Sequence, residues 1–243
     1  MDYNYHGLVV VWDLDDTIFR ERDFCRSGFR LIEKTLSEKY GEKFKGLSEK
    51  MDHYLTERKN YFDLLDAILA DSGEEEFRDA AARKAAVSGI VNLYRTHQPS
   101  DLLPAEGIKE TLDQLQNRGV VMALVTDGRS NTQRSKIKAL KLDKYIPADN
   151  IYISEEQNAD KTQPDSFQSI VRKYPEAKRF IYIGDNERKD FIMPNLLGWK
   201  TIKVVWNQDN VHPEYETTDI LQAPAIRMSE NERLINIIES VSK

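Results

Sequence analysis

A single cysteine, Cys25, is all that 243 residues contain, so no disulfide can form within the chain. The sequence fits a reducing compartment, and Cys25 reads as an ordinary small side chain on a helix. Eight prolines and eleven glycines are too few for a fibrous or low-complexity protein. Long apolar runs are missing too. The run nearest the start, Leu8 to Trp12, has five residues, too short for a signal-peptide core or a membrane span, and no basic cluster precedes it. A soluble cytoplasmic protein is the expectation. Excess positive charge is also absent: 35 Lys and Arg stand against 41 Asp and Glu, a formal net charge of −6, which argues against general affinity for nucleic acid or an anionic membrane. Residues 20–100 hold 15 basic and 15 acidic residues, so the remaining 20 and 26 place the acidic excess in the flanking segments. An anionic substrate would need local compensation by a metal and a few placed cations.

What the chain does have is a hydrophobic content of 40%, enough to bury a full core. The most informative stretch is Leu8-Val9-Val10-Val11-Trp12 followed directly by Asp13-Leu14-Asp15-Asp16-Thr17. An apolar run that ends in carboxylates reads as a buried parallel strand with a polar site at its carboxyl end, the place where open α/β sheets bind ligands. Side chains alternate along an extended strand, so Asp13 and Asp15 should project to one side. Two acids in one small space repel, and a divalent cation or a lysine removes that penalty.

After Thr17 a helical period takes over. Phe29, Ile32, Leu36 and Tyr40 share a face, with Gly41 placed as a left-handed terminator, and further helices carry Met51 to Leu55, Phe62 to Leu69 and about Glu75 to Tyr94. An all-helical block of this size reads as an inserted lobe, residues 20–99, within a core formed by 1–19 and 100–243. A helix with Ile108, Leu112 and Leu115 then leads into a second apolar strand, Val120 to Val125, ending in Thr126-Asp127-Gly128. The pattern predicts helix over 131–142, strand over 151–153, a helix opened by Pro164, strand over 180–183, helix over 189–197, strand over 201–205 and a last helix over 230–241. Residues 207–228 show no period and read as loop or an edge element. The predicted class is therefore α/β: a Rossmann-like parallel sheet with helices on both faces, plus an all-helical insertion.

In such a sheet Asp13, Asp15, Thr126, Lys161 and Asp185 would converge on one rim. Each has a blander reading taken singly, since acids at strand ends are commonly turn residues and Asp190 could simply favour a helix start. In this order, however, they resemble the haloacid dehalogenase superfamily of phosphohydrolases over nearly the whole chain. Asp13-Leu14-Asp15-Asp16-Thr17 matches the first motif, Thr126-Asp127-Gly128 the second, Lys161 with Pro164 and Phe167 the third, and Gly184-Asp185 with Asp190 the fourth. Two departures stand out: Thr162 and Gln163 separate Lys161 from Pro164, and Asp127 occupies a position where many relatives have Asn.

The resemblance implies a phosphatase-like enzyme with a helical cap of the first type. Asp13 would be the nucleophile, forming an aspartyl-phosphate, and Asp15 the general acid and base. Mg²⁺ would be held by Asp13, Asp185 and the main-chain carbonyl of Asp15. Thr126, Asp127 and Gly128 would bind the phosphoryl group with Lys161, Asp127 through its amide rather than its carboxylate. Asn186 and Asp190 would orient Asp185, Lys161 or a metal-bound water. The implied partner is a small phosphorylated metabolite, such as a sugar phosphate, phosphoglycolate or a nucleotide. Arg22, Arg26, Arg58, Lys59 and Tyr61 on the lobe could touch a leaving group, although solvation of a surface is the commoner fate of such residues. A phosphomutase, or a non-catalytic phosphate- and metal-binding regulator, would use a similar residue set.

Overall fold

The computed structural model describes residues 5–205, 210–211, 215–228 and 233–242. The chain divides into two compact units, one of residues up to Arg20 and from Leu102 onward, the other of Glu21–Asp101.

The first unit is built on a six-stranded sheet: β1 Leu8–Trp12, β2 Val121–Thr126, β3 Ile151–Ile153, β4 Arg179–Gly184, β5 Lys200–Lys203 and β6 Ile226–Arg227. Their spatial order is β3-β2-β1-β4-β5-β6, and every pairing is parallel. β1 lies between β2 and β4, with Trp12 beside Leu124 on one side and Ile183 on the other. The chain thus leaves β1 toward one edge and later returns to its other side, which opens a crevice at the carboxyl ends of β1, β2 and β4. The central strands β1 and β2 are apolar nearly throughout because both of their faces are covered. Val9, Val11, Ala123, Val125 and Tyr182 pack on one face with Phe167, Ile170, Phe191 and Trp199. Val10, Trp12, Met122, Leu124, Ile181 and Ile183 are equally buried.

The second unit is helical: α1 Glu21–Tyr40, α2 Leu47–Thr56, α3 Tyr61–Asp71 and α4 Ala80–Thr96. α1 buries Phe24, Cys25, Phe29, Ile32 and Leu36, a stripe of period three to four. Tyr94 packs against Phe24, Phe29, Tyr61 and Phe62, and it approaches α1 so closely that a Cβ on Gly28 would stand 2.4 Å from its ring. Two expectations are corrected here. Gly41 has a positive φ of 85° but an extended ψ, so it leads into a short 3₁₀ turn rather than closing α1 in the left-handed form. The helix expected from Glu75 is interrupted, because the Asp79 side chain accepts the Ala82 amide at 2.8 Å and starts α4 afresh at Ala80. Arg22 and Arg26 both grip Asp52, and Lys59 pairs with Glu57.

Around the sheet lie α5 Ile108–Asn117, α6 Ser130–Ala139, α7 Ser154–Gln157, α8 Asp165–Lys173, α9 Ile192–Leu196 and α10 Leu234–Val241. α8 starts one residue after Pro164. α9 is shorter than the pattern suggests, since Lys189 and Asp190 belong to a turn closed by their amides on the Asn186 carbonyl. Within 207–228 the described residues include β6, an edge strand, and Asn195 fixes the segment before it through the carbonyls of Leu221 and Ala223. The first turn expected for the last helix, 230–232, lies outside the described residues. No helix among the described residues is long and apolar enough to cross a membrane.

Candidate active site

Asp13 is the first residue beyond β1, and its amide donates to the Ile183 carbonyl at 2.8 Å, which locks the end of β1 against β4. Its carboxylate is 3% exposed. Thr17 donates its hydroxyl to one oxygen at 2.8 Å, and the Lys161 ammonium contacts the other. Thr17 returns to Asp13 because the chain folds back at once: Asp16 takes a left-handed φ of 53°, and the Ile18 amide reaches the Leu14 carbonyl at 2.9 Å. Burial pushes the Asp13 carboxyl up to about 6, with Lys161 opposing the shift and Asp190 adding to it.

Lys161 bridges two segments. It lies in the loop before α8, where the Asp160 side chain accepts the Thr162 amide at 2.8 Å and the Asp160 carbonyl accepts the Gln163 amide at 3.0 Å. That turn absorbs the two residues standing between Lys161 and Pro164. Lys161 is 2% exposed and contacts both Asp13 and Asp190, the latter at 2.9 Å. Burial would pull its ammonium down, but Asp13 and Asp190 hold it well above its ordinary value.

The other oxygen of Asp190 accepts the amides of Asp185 at 3.1 Å and Asn186 at 2.8 Å. Asp190 thus anchors the turn that carries Asp185. Gly184 is needed beneath it, since a Cβ there would stand 2.6 Å from the Asp190 oxygen. The Asn186 side chain accepts the Arg188 amide at 3.1 Å, within the same turn.

Asp13, Asp185 and Asp190 each bring a carboxylate oxygen within 4.8 Å of the others. Burial, then Asp190, Asp13 and Asp16, drive the Asp185 carboxyl well above its usual range. Among the described residues, neither a hydrogen bond nor an ion pair reaches the Asp185 carboxylate. Clustered hard oxygens, one of them on a half-buried acid, are the donor set a small divalent cation prefers.

On the β2 side Thr126 is buried, and its hydroxyl accepts from Gln133 Nε2 at 2.7 Å. Both oxygens of the Asp127 carboxylate are engaged. One oxygen accepts the Lys161 amide at 3.1 Å, and the other pairs with Lys189 at 3.1 Å. The Gly128 amide donates to Ser154 Oγ at 2.9 Å.

Asp15 has partners of its own. Lys136 contacts one of its oxygens at 2.7 Å and Gln133 the other at 2.8 Å. Sequence reasoning missed both residues, although a signal existed: Gln133, Lys136, Ile137 and Leu140 form one helical stripe, so two polar side chains sit in register with an apolar face. It also missed Glu187, fully buried beside Asn186, which pairs with Lys203 and Arg227 at 2.8 Å and accepts the Thr217 amide.

Comparison with known proteins gives the family and the fold. Residues 8–198 match the family model described as haloacid dehalogenase-like hydrolase. The chain is similar to human N-acylneuraminate-9-phosphatase, 24% identical over 240 residues that cover 90% of this chain and 93% of that one. Among solved structures it resembles the HAD-hydrolase YfnB of Bacillus subtilis in its magnesium-bound form, with TM-score 0.60, 17% identity and coverage of 97% and 98%. It also resembles a β-phosphoglucomutase-like protein of Thermotoga maritima, with TM-score 0.61, 13% identity and coverage of 96% and 99%.

Proposed function

Since the chain belongs to the haloacid dehalogenase-like hydrolases, we propose that it is a Mg²⁺-dependent phosphatase of small phosphate monoesters, working through an aspartyl-phosphate on Asp13. The observation that carries this reading is the buried Asp13 carboxylate at the end of β1, in contact with Lys161 and clustered with Asp185 and Asp190. A nucleophile kept out of water and oriented on both oxygens is poised for in-line attack at phosphorus.

In the first half-reaction an Asp13 oxygen bonds to phosphorus as the ester P–O bond breaks, and Asp15 gives its proton to the departing oxygen. In the second half, Asp15 takes a proton from water while the water oxygen bonds to phosphorus and the P–O bond to Asp13 breaks. Lys161 and the Thr126 hydroxyl would bear the negative charge of the phosphoryl oxygens. Asp13, Asp185 and the main-chain carbonyl of Asp15 would hold Mg²⁺. When bound, the ion offsets the repulsion among the carboxylates and neutralises phosphoryl charge.

The helical unit, Glu21–Asp101, interrupts the sequence between β1 and β2, and in this reading it is the cap that excludes water and selects the leaving group. The name of the human relative speaks of an acylneuraminate 9-phosphate, which supports a phosphorylated sugar or sugar acid as the substrate class. The lone cysteine supports a cytoplasmic setting. Phosphate release across a panel of sugar, sugar-acid, nucleotide and glycolate monophosphates, with Mg²⁺ present, tests the proposal. Turnover of at least one ester, abolished in Asp13→Asn, is the expected result, and full activity of that variant overturns it.

A further inference from the structure

Gln133 and Lys136 are 2% and 3% exposed on α6, one helical turn apart. Long polar side chains of this kind are buried where a specific partner meets the cost of removing them from water. Here the shared partner is Asp15. Lys136 Nζ lies 2.7 Å from one carboxylate oxygen and Gln133 Nε2 lies 2.8 Å from the other.

A second contact ties this arrangement to the opposite wall of the crevice. Gln133 Nε2 also lies 2.7 Å from Thr126 Oγ. The Gln133 NH₂ group gives one hydrogen to the Asp15 oxygen and its second to Thr126. The Thr126 oxygen is thereby an acceptor toward the helix, and its own hydrogen is left to point elsewhere. Gly128 makes room for this approach, since a Cβ there would stand 3.0 Å from the Gln133 side chain.

We infer that Gln133 and Lys136 are positioning residues, by which one turn of α6 fixes the proton-transferring carboxylate of Asp15 and the phosphoryl-binding hydroxyl of Thr126 in a single rigid relation. The inference rests on the phosphatase reading for its consequence. The proton that Asp15 gives to the departing ester oxygen, and regains from the attacking water, must travel along a fixed line. A carboxylate free to rotate spends most of its time off that line.

The test compares full-length wild type, Asp15→Asn, Lys136→Met, Lys136→Arg and Gln133→Leu on two esters. One is p-nitrophenyl phosphate, whose leaving group departs without a proton, and the other is the alkyl phosphate turned over best in the panel. Lys136→Met is expected to lower kcat for the alkyl ester roughly 10- to 100-fold, with a much smaller fall for p-nitrophenyl phosphate and little change in KM. Asp15→Asn should show the same selectivity, and Lys136→Arg should regain part of it. Gln133→Leu should add a higher KM for both esters, through Thr126. Equal losses on the two esters, or none, overturn the inference.

A crystal structure of Lys136→Met, or of Lys136→Gln should the first variant fail to fold, supplies a readout that needs no turnover. An Asp15 side chain rotated from its wild-type position supports the clamp, and an unmoved one overturns it. Absence of turnover by the wild type on every ester would overturn the phosphatase reading instead, with the crystallographic comparison still deciding the clamp.

Discussion

Lys161 and Asp190 form an ion pair 2.9 Å long whose side chains are 2% and 0% exposed. The same ammonium contacts Asp13, so one buried cation serves the candidate nucleophile and the residue that shapes the Asp185 turn.

Removing that cation should therefore damage fold and chemistry together. Lys161→Met would leave Asp13 and Asp190 buried without their shared partner, and breaking a buried pair in this way costs roughly 3–5 kcal/mol. Urea denaturation should show that loss, and phosphate release should fall to background. Wild-type stability in this variant would contradict the account of the pair.

Metal binding should appear as stabilisation. At a Mg²⁺ concentration about 100 times its Kd, linkage gives roughly 2.7 kcal/mol, which for a chain of this size raises Tm by roughly 5–10 °C. Excess chelator should reverse the shift, and Asp185→Asn should abolish most of it. The sign of its pH dependence follows from Asp13, whose carboxyl burial pushes up to about 6. Ligation requires the ionised form, so the gain should shrink as pH falls through about 6. In the metal-free protein the raised value acts the other way. Stability from the protonated carboxyl is fully present below the ordinary 3.8 and lost as pH rises through about 6. Thermal melts across pH 4–8, with and without Mg²⁺, measure both trends.

Asp127 should tolerate the residue that many relatives carry. Its carboxylate already faces Lys189 and the Lys161 amide, so Asp127→Asn should leave KM for a phosphate ester within about threefold. Loss of a partly exposed pair should cost on the order of 0–1 kcal/mol. Burial and Lys161 would draw the Lys189 ammonium down, but Asp190, Asp127 and Asp13 hold it above its ordinary value. A tenfold fall in KM in the variant would show instead that the native carboxylate repels substrate.

The helical unit offers a test of its own. Burial would raise the Asp52 carboxyl, but hydrogen bonds from Arg22 and Arg26 outweigh it and hold the group below its ordinary 3.8. That contribution is present in full above 3.8 and lost as pH falls through the depressed folded value. Asp52→Asn should destabilise the protein by roughly 1–2 kcal/mol at pH 7, given partial exposure, and by progressively less in acid. A deficit constant from pH 7 to pH 3 would count against the ion pairs as its source.

The sheet was legible because β1, β2 and β4 are continuous apolar runs that stop abruptly at Asp13, Thr126 and Gly184, whereas the segments between them repeat at three and four residues. The same abrupt endings pointed to the rim where Asp13, Thr126, Lys161 and Asp185 meet. The partners of those residues were harder to read. Lys189 sits one residue before a motif aspartate and gives no sign that it faces Asp127. Glu187, Lys203 and Arg227 are joined by strand adjacency across β4, β5 and β6, which leaves no periodic trace in the sequence. Lys136 is set apart in the sequence only by the stripe it shares with Ile137, which says nothing of Asp15. Local pattern reports which residues lie at a strand end, whereas compensation among charges depends on three-dimensional neighbours.

The position of β1 in the middle of the sheet has a consequence for biosynthesis. Val9 pairs with Val121 on one flank and with Phe180 on the other, so the strand that leads into Asp13 leaves the ribosome long before either neighbour exists. Until β4 emerges, its valines have no completed sheet to enter, and non-local pairing of this kind is slow and prone to aggregation. A nascent chain that stops short of Lys161 and Asp190 would thus carry Asp13 without the cation and acid that pack against it.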